Sequence, residues 1–478
     1  MTTENRAVVE TGPADSPVVR NFVTLGVGEL ASRLLGFGGT IWIARQLGTA
    51  GYGVYGFAFA VMLYFAAVGD LGMEHLGPRE VADRRIPLDR LASSMVLGRF
   101  AASAIIALLM AVFGLLAMKR PDGVVLAIFG LTLLPMGATT RWVHLGLERT
   151  RDVSISRLIA ELVRVSLLVA TVRGPGDLVR APLAHFMGEA AAAAFLFIVL
   201  RARGVKLGLK IDAAVVRDIL RRGAPLLVTN LLALVIYNAD VVVLGIFRGE
   251  TEVGLYLAAY TLINFVGVLG NTATLVAIPS LSRLRGTGDR GVELFRTSIA
   301  QVVTIGLPVA AGGAMLAPAL IGLLFGTAYA AAAPILRLLI ISIPILLVRS
   351  VLQASLIAAS RQDRVLHTTA WAAAITLIGD LALIPLIGMT GAALVTVAAE
   401  TTRVTAAAVY AAREGYGGVQ PARFARAIAA TVVMVSVLRV LRGSPVWLTI
   451  PVGGLVWALA LFSTGGLRWR DRTLQLTV

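Results

Sequence analysis

The stretch GTAGYGVYGFAF, residues Gly48 to Phe59, returns about two hundred residues later as RGETEVGLYLAAY, residues Arg248 to Tyr260. A long apolar run lies on each side of both copies. Three residues align at one constant offset of 201 residues: Gly53 with Gly254, Tyr55 with Tyr256, and Ala58 with Ala259. An internal repeat between apolar segments predicts two related halves, an arrangement typical of transporters whose site lies near the middle of the bilayer.

The composition places the chain among membrane proteins. Of its 478 residues, 57% are hydrophobic and 15% are charged, and the mean hydropathy is +0.84. A single soluble core cannot bury so much apolar side chain, and many apolar runs reach the roughly twenty residues that cross a bilayer. We therefore predict a multi-pass integral membrane protein.

The formal net charge of +16 would suggest nucleic acid in a soluble protein. Here the basic residues concentrate in short connections, where they set the topology and contact anionic headgroups, so no nucleic-acid partner is expected. The chain has no cysteine, which excludes thiolate metal sites and disulfides, and the four histidines lack metal-ligand spacing: His75, His144, His185 and His367. We predict no metal site and no cofactor.

Apolar runs bounded by charge, proline or glycine predict about fourteen transmembrane helices. The predicted spans are residues 22–46, 54–76, 95–117, 124–146, 154–172, 179–200, 224–247, 254–280, 299–324, 335–358, 366–387, 390–411, 426–441 and 446–466. Alternate connections are rich in arginine and lysine, for example those with Arg79 to Arg90, Arg201 to Arg222 and Arg283 to Arg296. By the positive-inside rule both termini are cytoplasmic, which requires an even number of spans.

We predict an all-α fold with two six-helix pseudo-repeats and a further C-terminal helix pair, by the repeat and the span count. The predicted parts are a polar disordered tail at 1–18, an N-terminal lobe at 19–200, a basic cytoplasmic connector at 201–222, a C-terminal lobe at 223–412, and a helix pair with a short cytoplasmic tail at 413–478. The tail lacks the apolar core of a signal peptide. The connector sequence IDAAVVRDILRRGA alternates apolar and basic residues at helical spacing, which predicts an interfacial helix against anionic lipid or, alternatively, a regulatory-partner site.

Several ordered stretches resemble the polysaccharide-biosynthesis branch of the multidrug/oligosaccharidyl-lipid/polysaccharide exporter superfamily. They cover the first ten predicted spans: Gly48–Gly56, Asp70–Gly72 with Arg79–Glu80, Gly146–Arg149, Asp240 ahead of Val253–Tyr256, Ile278–Ser282, and Leu316–Pro318 leading to Leu324–Gly326 and Tyr329. The resemblance implies a non-enzymatic flippase in a prokaryotic inner membrane that moves polyprenyl-diphosphate-linked sugars. It also implies an envelope-glycan polymerase or ligase as a partner, and a lipid-tail groove in the last two spans.

A second resemblance lies in the first span. Ser32–Phe37 and Ala44–Arg45 are similar to the opening helix of the lipid II flippase family. That family carries an Arg-Asp pair just after the Gly-Phe, whereas this chain has Gly39 and Thr40. The departure favours another substrate of the same chemical class over lipid II.

Ionisable residues inside the spans are candidate site residues, because a charge near the bilayer centre costs several kcal/mol, on the order of 3, unless it faces a cavity or a partner. The substrate-binding candidates are Arg33, Glu29, Arg164, Arg349 and Arg403. Arg33 and Glu29 share a helical face, so Arg33 either binds a diphosphate or acidic sugar, or forms a structural pair with Glu29. Arg157, Glu161 and Arg164 form a similar ladder, and Glu400 pairs with Arg403, with the same two readings.

Arg349, Glu189 and Asp380 have no opposite charge on their own helical face and need partners from other helices, or protonation. The ion-coupling candidates are Asp240, Glu189 and Asp380, since a carboxylate buried at the midplane can load Na⁺ or H⁺ in a way that depends on conformation. Tyr237 and Asn238 precede Asp240 and offer nearby oxygens, for a Na⁺ site or a gate hydrogen bond.

The leading hypothesis is a flippase that moves a polyprenyl-diphosphate-linked oligosaccharide or polysaccharide repeat unit from the cytoplasmic to the outer leaflet by alternating access. The alternative is a multidrug exporter coupled to Na⁺ or H⁺, which expects an acidic and aromatic cavity, whereas here intramembrane arginines balance the acids. A non-transporting scaffold is disfavoured by buried charges in so many spans. The sequence contains no Walker loop, no catalytic triad and no paired carboxylates in a loop, which are motifs that would indicate an enzyme.

Overall fold

The computed structural model describes the backbone of residues 17–119, 121–283, 289–417, 421–470 and 473–476. Side chains are described within these ranges except at 17–29, 268–283, 289, 421, 468–470 and 473–476. Four sequence features therefore lie outside the described residues: most of the predicted tail at 1–18, the side chain of Glu29, the side chains of the Ile278–Ser282 motif, and the connection at 284–288.

The described chain folds almost entirely into α-helices. They are α1 Pro17–Asp70, α2 Met73–Asp83, α3 Leu88–Ala117, α4 Asp122–Ala138, α5 Arg141–Gly146, α6 Thr150–Thr171, α7 Arg180–Ala202, α8 Ala213–Phe247, α9 Glu250–Arg283, α10 Asp289–Leu324, α11 Ala332–Leu339, α12 Ser342–Ala358, α13 Gln362–Arg413, α14 Ala425–Val440 and α15 Val446–Ser463. Nine helical stretches among the described residues are long and apolar enough to cross a membrane. The predicted all-helical, multi-span membrane class is confirmed, while the number of crossings and the side of each terminus stay predictions.

Two of the helices contain a glycine with non-helical backbone angles. Gly48 in α1 has φ 68° and Gly388 in α13 has φ 58°, and both lie where the sequence predicted a break between two spans. A positive φ is accessible to glycine at little cost because it lacks Cβ. Each long helix therefore consists of two helical segments joined at one glycine.

The basic connector does not form a separate interfacial helix. Its second part is the start of α8, which runs unbroken for 35 residues from Ala213 to Phe247. At 1.5 Å per residue such a helix is ~52 Å long, well over the ~30 Å hydrocarbon core. The extra turns are held by packing, because Val215 and Ile219 are buried in one apolar cluster with Met73 and Trp142.

The described chain divides into two compact units. Unit 1 contains the residues up to Ile43 together with Val61–Val228, and unit 2 contains Ala44–Ala60 together with Thr229–Val478. The predicted six-helix lobes are not identical to these units, since Ala44–Ala60 comes from the first half of the sequence but packs within unit 2.

Within unit 1, α3 packs against α4, α6 against α7, and α4 against α7, while the short helix α2 packs against α5. Asp70, the last residue of α1, forms an ion pair with Arg99 of α3. Arg99 of α3 donates from Nη2 to Asp70 Oδ1 at 2.8 Å and to the Met136 carbonyl at 3.2 Å. Arg99 is 3% exposed, so a buried cation joins the end of α1 to α3 and α4.

Within unit 2, α12 packs against α9, α10 and α13, and α14 packs against α15 and α10. The segment Ala44–Ala60 is held here by polar contacts. Arg45 donates to the last carbonyls of α10, at Leu323 and Leu324, and the Tyr329 hydroxyl donates to the Ala44 carbonyl at 2.7 Å. These bonds satisfy carbonyls that a helix end leaves unpaired.

After α15 the chain forms a two-stranded antiparallel hairpin. Strand β1 Leu467–Arg470 pairs with β2 Thr473–Leu476, with Leu467 opposite Leu476. The sequence predicted only a short tail here, because these strands are too short to give a clear apolar alternation.

Candidate functional site

The first polar cluster lies inside unit 1, around Arg164 on α6. Its guanidinium donates to Glu161 Oε2 from Nη2 at 2.5 Å and from Nε at 2.9 Å, and Nη2 lies 3.5 Å from the Gly36 carbonyl on α1. The two side chains are 11% and 27% exposed. Arg164 therefore forms the predicted same-helix pair and also reaches a glycine of the first span.

Glu189 on α7 belongs to the same cluster. The charged groups that face it are Glu161, Arg157, Arg141 and Arg164, which come from α5 and α6. The sequence placed no opposite charge on the helical face of Glu189, and the structure supplies arginines from two neighbouring helices. The structure thus brings together Arg164, a substrate-binding candidate, and Glu189, an ion-coupling candidate.

Arg33 lies on α1 with an exposed side chain, one turn before Gly36, whose carbonyl Arg164 approaches. Its predicted partner Glu29 lies outside the described side chains. The choice between substrate contact and structural pairing for Arg33 stays a prediction.

The second polar cluster lies inside unit 2 and centres on one carboxylate between two guanidiniums. Arg349 Nε on α12 lies 2.9 Å from Glu400 Oε2 on α13, and Arg403 Nη1 lies 3.5 Å from Glu400 Oε1. Arg349, Glu400 and Arg403 are 5%, 6% and 6% exposed. The distances are those of ion pairs, but neither contact aligns an N–H with the oxygen well enough for a hydrogen bond.

Neutral groups complete part of this cluster. Arg349 Nη1 donates to Gln353 Oε1 at 3.0 Å, and Arg403 Nη2 lies 3.4 Å from Thr369 Oγ1. The Nε of Arg403 is buried and has no hydrogen-bond partner among the described residues. Within this cluster two guanidiniums share one carboxylate, which leaves one positive charge without a counter-charge among these three side chains.

Asp240, two turns before the end of α8, is buried and held by hydrogen bonds. Its Oδ2 accepts from the Tyr256 hydroxyl on α9, and its Oδ1 accepts from the Val241 amide at 2.8 Å. The same Tyr256 oxygen lies 3.2 Å from Thr396 Oγ1 on α13. The oxygens that sequence proximity suggested are directed elsewhere: Asn238 donates to the Leu234 carbonyl of its own helix at 3.4 Å, and Tyr237 faces Arg349.

Asp380 on α13 is 0% exposed, and neither of its carboxylate oxygens has a hydrogen-bond partner among the described residues. Asp240 is the charged group that faces it. An ionised carboxylate cannot remain in such surroundings uncompensated, so Asp380 either holds a proton or faces a cation. Among the described residues no three His, Cys, Asp or Glu side chains meet to hold a metal ion.

Sequence reasoning missed several members of these clusters. Arg99 is a charge within a predicted span and could have been found by the same rule as Arg349. Tyr256 was visible as a repeated residue but not as a partner of Asp240. Gln353 and Thr369 gave no signal, because neutral polar residues are common in spans and only helix packing shows which charge they meet.

Comparison with solved structures defines the class of this fold. The chain is similar to the lipid II flippase MurJ in an inward closed conformation, with a TM-score of 0.77, 13% identity, and coverage of 93% of this chain and 99% of that one. It is also similar to an inward-facing multidrug-resistance transporter of the MATE family in the MOP superfamily, with a TM-score of 0.63, 16% identity, and coverage of 83% and 98%. The fold is therefore that of the MOP superfamily transporters.

The family follows from the sequence. Residues 18–285, more than half of the chain, match the family described as polysaccharide biosynthesis protein, and the chain belongs to that family. A candidate O-antigen transporter of Escherichia coli (strain K12) is 22% identical over 297 residues, which are 60% of this chain and 70% of that protein. The predicted family and the predicted placement in a prokaryotic inner membrane are confirmed.

Proposed function

We propose that this protein flips a polyprenyl-diphosphate-linked oligosaccharide or polysaccharide repeat unit from the cytoplasmic to the outer leaflet by alternating access. We further propose about fourteen spans, arranged as two six-helix lobes and a C-terminal pair, because of the pattern of apolar runs. The distribution of basic residues in the connections supports cytoplasmic termini. Membership of the polysaccharide biosynthesis family supports this proposal. The proposal is also supported by the similar fold of a lipid II flippase and by the sequence similarity to a candidate O-antigen transporter.

The observation that carries the proposal is the buried arginine pair. Arg349 and Arg403 share the single carboxylate of Glu400 and leave guanidinium donors unsatisfied in the interior of unit 2. A guanidinium binds phosphate through paired, charge-assisted hydrogen bonds, and a diphosphate or an acidic sugar supplies the acceptors. The same excess positive charge disfavours the cationic drugs that the alternative exporter would carry.

Asp380 supports coupling to an ion. Because its carboxylate is buried without a partner, loading a proton or Na⁺ there changes the free energy of one conformation more than that of another. Asp240, which faces Asp380, is already held by Tyr256 and is the second group of this pair. We propose Asp380 as the loading group and Asp240 as its neighbour.

The proposal is tested by depleting the protein from cells and measuring polyprenyl-diphosphate-linked glycans by mass spectrometry, with the leaflet assigned by a membrane-impermeant probe. One glycan species is expected to accumulate on the cytoplasmic side. Unchanged glycans together with new sensitivity to cationic drugs would support the multidrug exporter instead.

The role of the arginines is tested with Arg403→Gln in the same cells, with Arg442→Gln as the control. Arg442 is an exposed cation in the turn between α14 and α15. Arg403→Gln is expected to reproduce the glycan accumulation while the protein remains folded and at normal abundance. A variant that accumulates no glycan would remove Arg403 from the substrate site.

The role of Asp380 is tested with Asp380→Asn in the purified protein. Asparagine keeps the shape but removes the charge, so the variant is expected to fold and to lose dependence of transport on the ion gradient. A Na⁺-specific rise in the thermal midpoint of the wild type, relative to K⁺, that disappears in Asp380→Asn would identify Na⁺. A dependence on pH alone, lost in the same variant, would identify H⁺.

A further inference from the structure

A short non-helical segment in unit 1 has a fixed position and an unusual surface. It comprises Arg203–Asp212, between α7 and α8, and is called the strap below. Three of its backbone amides donate to side chains at the start of α3: Lys206 to Asp89 Oδ1 at 3.1 Å, Gly208 to Ser93 Oγ at 2.8 Å, and Asp212 to Ser94 Oγ at 3.1 Å. Arg90 of α3 also donates from Nε to Asp212 at 2.7 Å. The strap is thereby anchored at the end of three membrane-crossing helices.

The apolar side of the strap extends past the core of unit 1. Val205 and Leu207 pack against that core. Leu209 and Ile211 follow at the same alternation but are 90% and 52% exposed. The amide anchors on both sides keep these two side chains outside the core, so an apolar environment for them has to come from another molecule.

The surface around these two residues is basic. Five exposed cations have no ion-pair partner among the described residues: Arg201 in the last turn of α7, Lys206 and Lys210 of the strap, and Arg217 and Arg221 of α8. The nearby acidic groups do not offset these five charges: Asp212 pairs with Arg90, Asp218 pairs with Arg222, and Asp89, which accepts the Lys206 amide, contributes a single negative charge. The positive charge of this surface is therefore not neutralised by the protein.

A groove of about 1210 Å³ runs between the strap and the start of α3. Its lining includes Arg90, Ser93, Arg201, Lys206 and Lys210. It offers cationic and hydroxyl donors within one concave surface next to the exposed apolar side chains. A ligand that fits has an anionic head and an apolar body.

We infer that the strap and the first turns of α8 form a binding surface for anionic phospholipids, with the headgroup phosphate in the basic groove and Leu209 and Ile211 in the acyl boundary. Charge complementarity selects this occupant, because basic residues beside apolar side chains at the bilayer surface bind anionic lipids. Placing the surface in the cytoplasmic leaflet rests on the topology given under Proposed function. The lipid binding itself does not depend on which substrate is transported.

The test uses the full chain in nanodiscs of phosphatidylcholine, with or without phosphatidylglycerol. Bound phosphatidylglycerol is counted by native mass spectrometry for the wild type, for Lys206→Gln with Lys210→Gln, and for the control Arg439→Gln with Arg442→Gln. The control removes the same number of positive charges from exposed positions elsewhere, Arg439 in the last turn of α14 and Arg442 in the turn that follows. Since the chain has no cysteine, Leu209→Cys also provides a unique site for an environment-sensitive fluorophore.

The lysine variant is expected to bind phosphatidylglycerol about 30-fold more weakly, roughly fivefold for each basic residue at an anionic surface, while the control variant binds like the wild type. The label at position 209 is expected to report an apolar environment only in nanodiscs with phosphatidylglycerol. Equal lipid retention by all three proteins, or a label that stays in water in both lipid mixtures, would overturn the inference. Either result leaves the glycan measurement under Proposed function unaffected.

Discussion

Gly53 and Gly254, which occupy the same position in the two copies of the repeat, cross each other in direct backbone contact. A Cβ on Gly53 would collide with the Glu250 carbonyl oxygen, and a Cβ on Gly254 would collide with the Thr49 carbonyl oxygen. Thr49 and Glu250 are themselves separated by the offset of 201 residues. The contact is therefore reciprocal, as in a two-fold symmetric interface, and it occurs between two segments of one chain.

The aromatic rings obey the same symmetry. Tyr55 stacks on Phe59 with centroids 6.3 Å apart, and the equivalent residues Tyr256 and Tyr260 stack at 5.6 Å. Gly48 and Gly249, again equivalent, both adopt positive φ, at 68° and 86°. The repeat in the sequence thus encodes one local structure twice, and the two copies pack against each other within unit 2.

Gly53→Ala and Gly254→Ala are each expected to destabilise the protein by about 2–3 kcal/mol, because the added methyl group meets a backbone carbonyl that no rotamer can avoid. The measurement is the thermal unfolding midpoint in detergent. Gly38→Ala is the control, since a Cβ there meets nothing within 4 Å, and it should be neutral or slightly stabilising. Equal midpoints for all three variants would contradict the close crossing.

Glu400→Gln is expected to cost about 3–5 kcal/mol, because it leaves Arg349 and Arg403 buried without a counter-charge. Chemical unfolding in mixed micelles measures the change. The control is Glu414→Gln, which breaks the ion pair of Glu414 with Arg361 at the surface, where the side chains are 24% and 49% exposed. That loss should stay below about 1 kcal/mol. A cost for Glu400→Gln as small as for the control would show that water or a lipid already solvates the arginines.

His144→Leu is expected to destabilise unit 1 by about 1–3 kcal/mol through unsatisfied buried groups. Nδ1 of His144 lies 3.1 Å from Asp152 and Nε2 lies 3.1 Å from the Leu196 carbonyl, so one fully buried ring joins α5, α6 and α7. Both partners are acceptors, so a neutral ring satisfies one of them and a protonated ring satisfies both.

The matched change His367→Leu removes an exposed ring and should shift stability by less than about 0.5 kcal/mol. Thermal unfolding compares the two variants with the wild type. If both leave the midpoint unchanged, His144 does not hold the three helices together.

Asp212 is expected to make the start of α8 sensitive to acid. Its hydrogen bonds from Arg90, and then from the amides of Val215 and Ala214, hold the pKa of its carboxyl below the usual value. A carboxyl with a lowered folded-state pKa stabilises the fold above its unfolded pKa of about 4, and this contribution disappears as the pH falls through the folded-state pKa.

Asp212→Asn keeps the helix cap but loses the charge that faces Arg90. Hydrogen-exchange protection of the first turn of α8 should therefore be lower in the variant at neutral pH, and the two proteins should converge as the pH drops below about 4. Protection that differs equally at every pH would assign the effect to shape and not to charge.

The site could be predicted from the sequence only in part. Arg164, Arg349, Arg403, Glu189 and Asp380 stood out because charges in apolar runs are costly. The pair of Glu400 with Arg403 followed from helical spacing, since its members are one turn apart. The pairing of Arg349 with Glu400 did not, because the two residues lie on different helices, 51 positions apart in the chain. The suggested neighbours of Asp240 failed for the same reason.

The sequence by itself determined the all-helical, multi-span membrane class, the two breaks between spans at Gly48 and Gly388, and the repeat, because the partition of side chains between lipid and water and the backbone freedom of glycine act over one or two turns of chain. Tertiary structure alone decided that Ala44–Ala60 packs with unit 2, that α8 absorbs the predicted interfacial helix, and that Tyr256 holds Asp240. These outcomes depend on which helix faces meet, and a buried polar group accepts any partner that packing brings within hydrogen-bond distance.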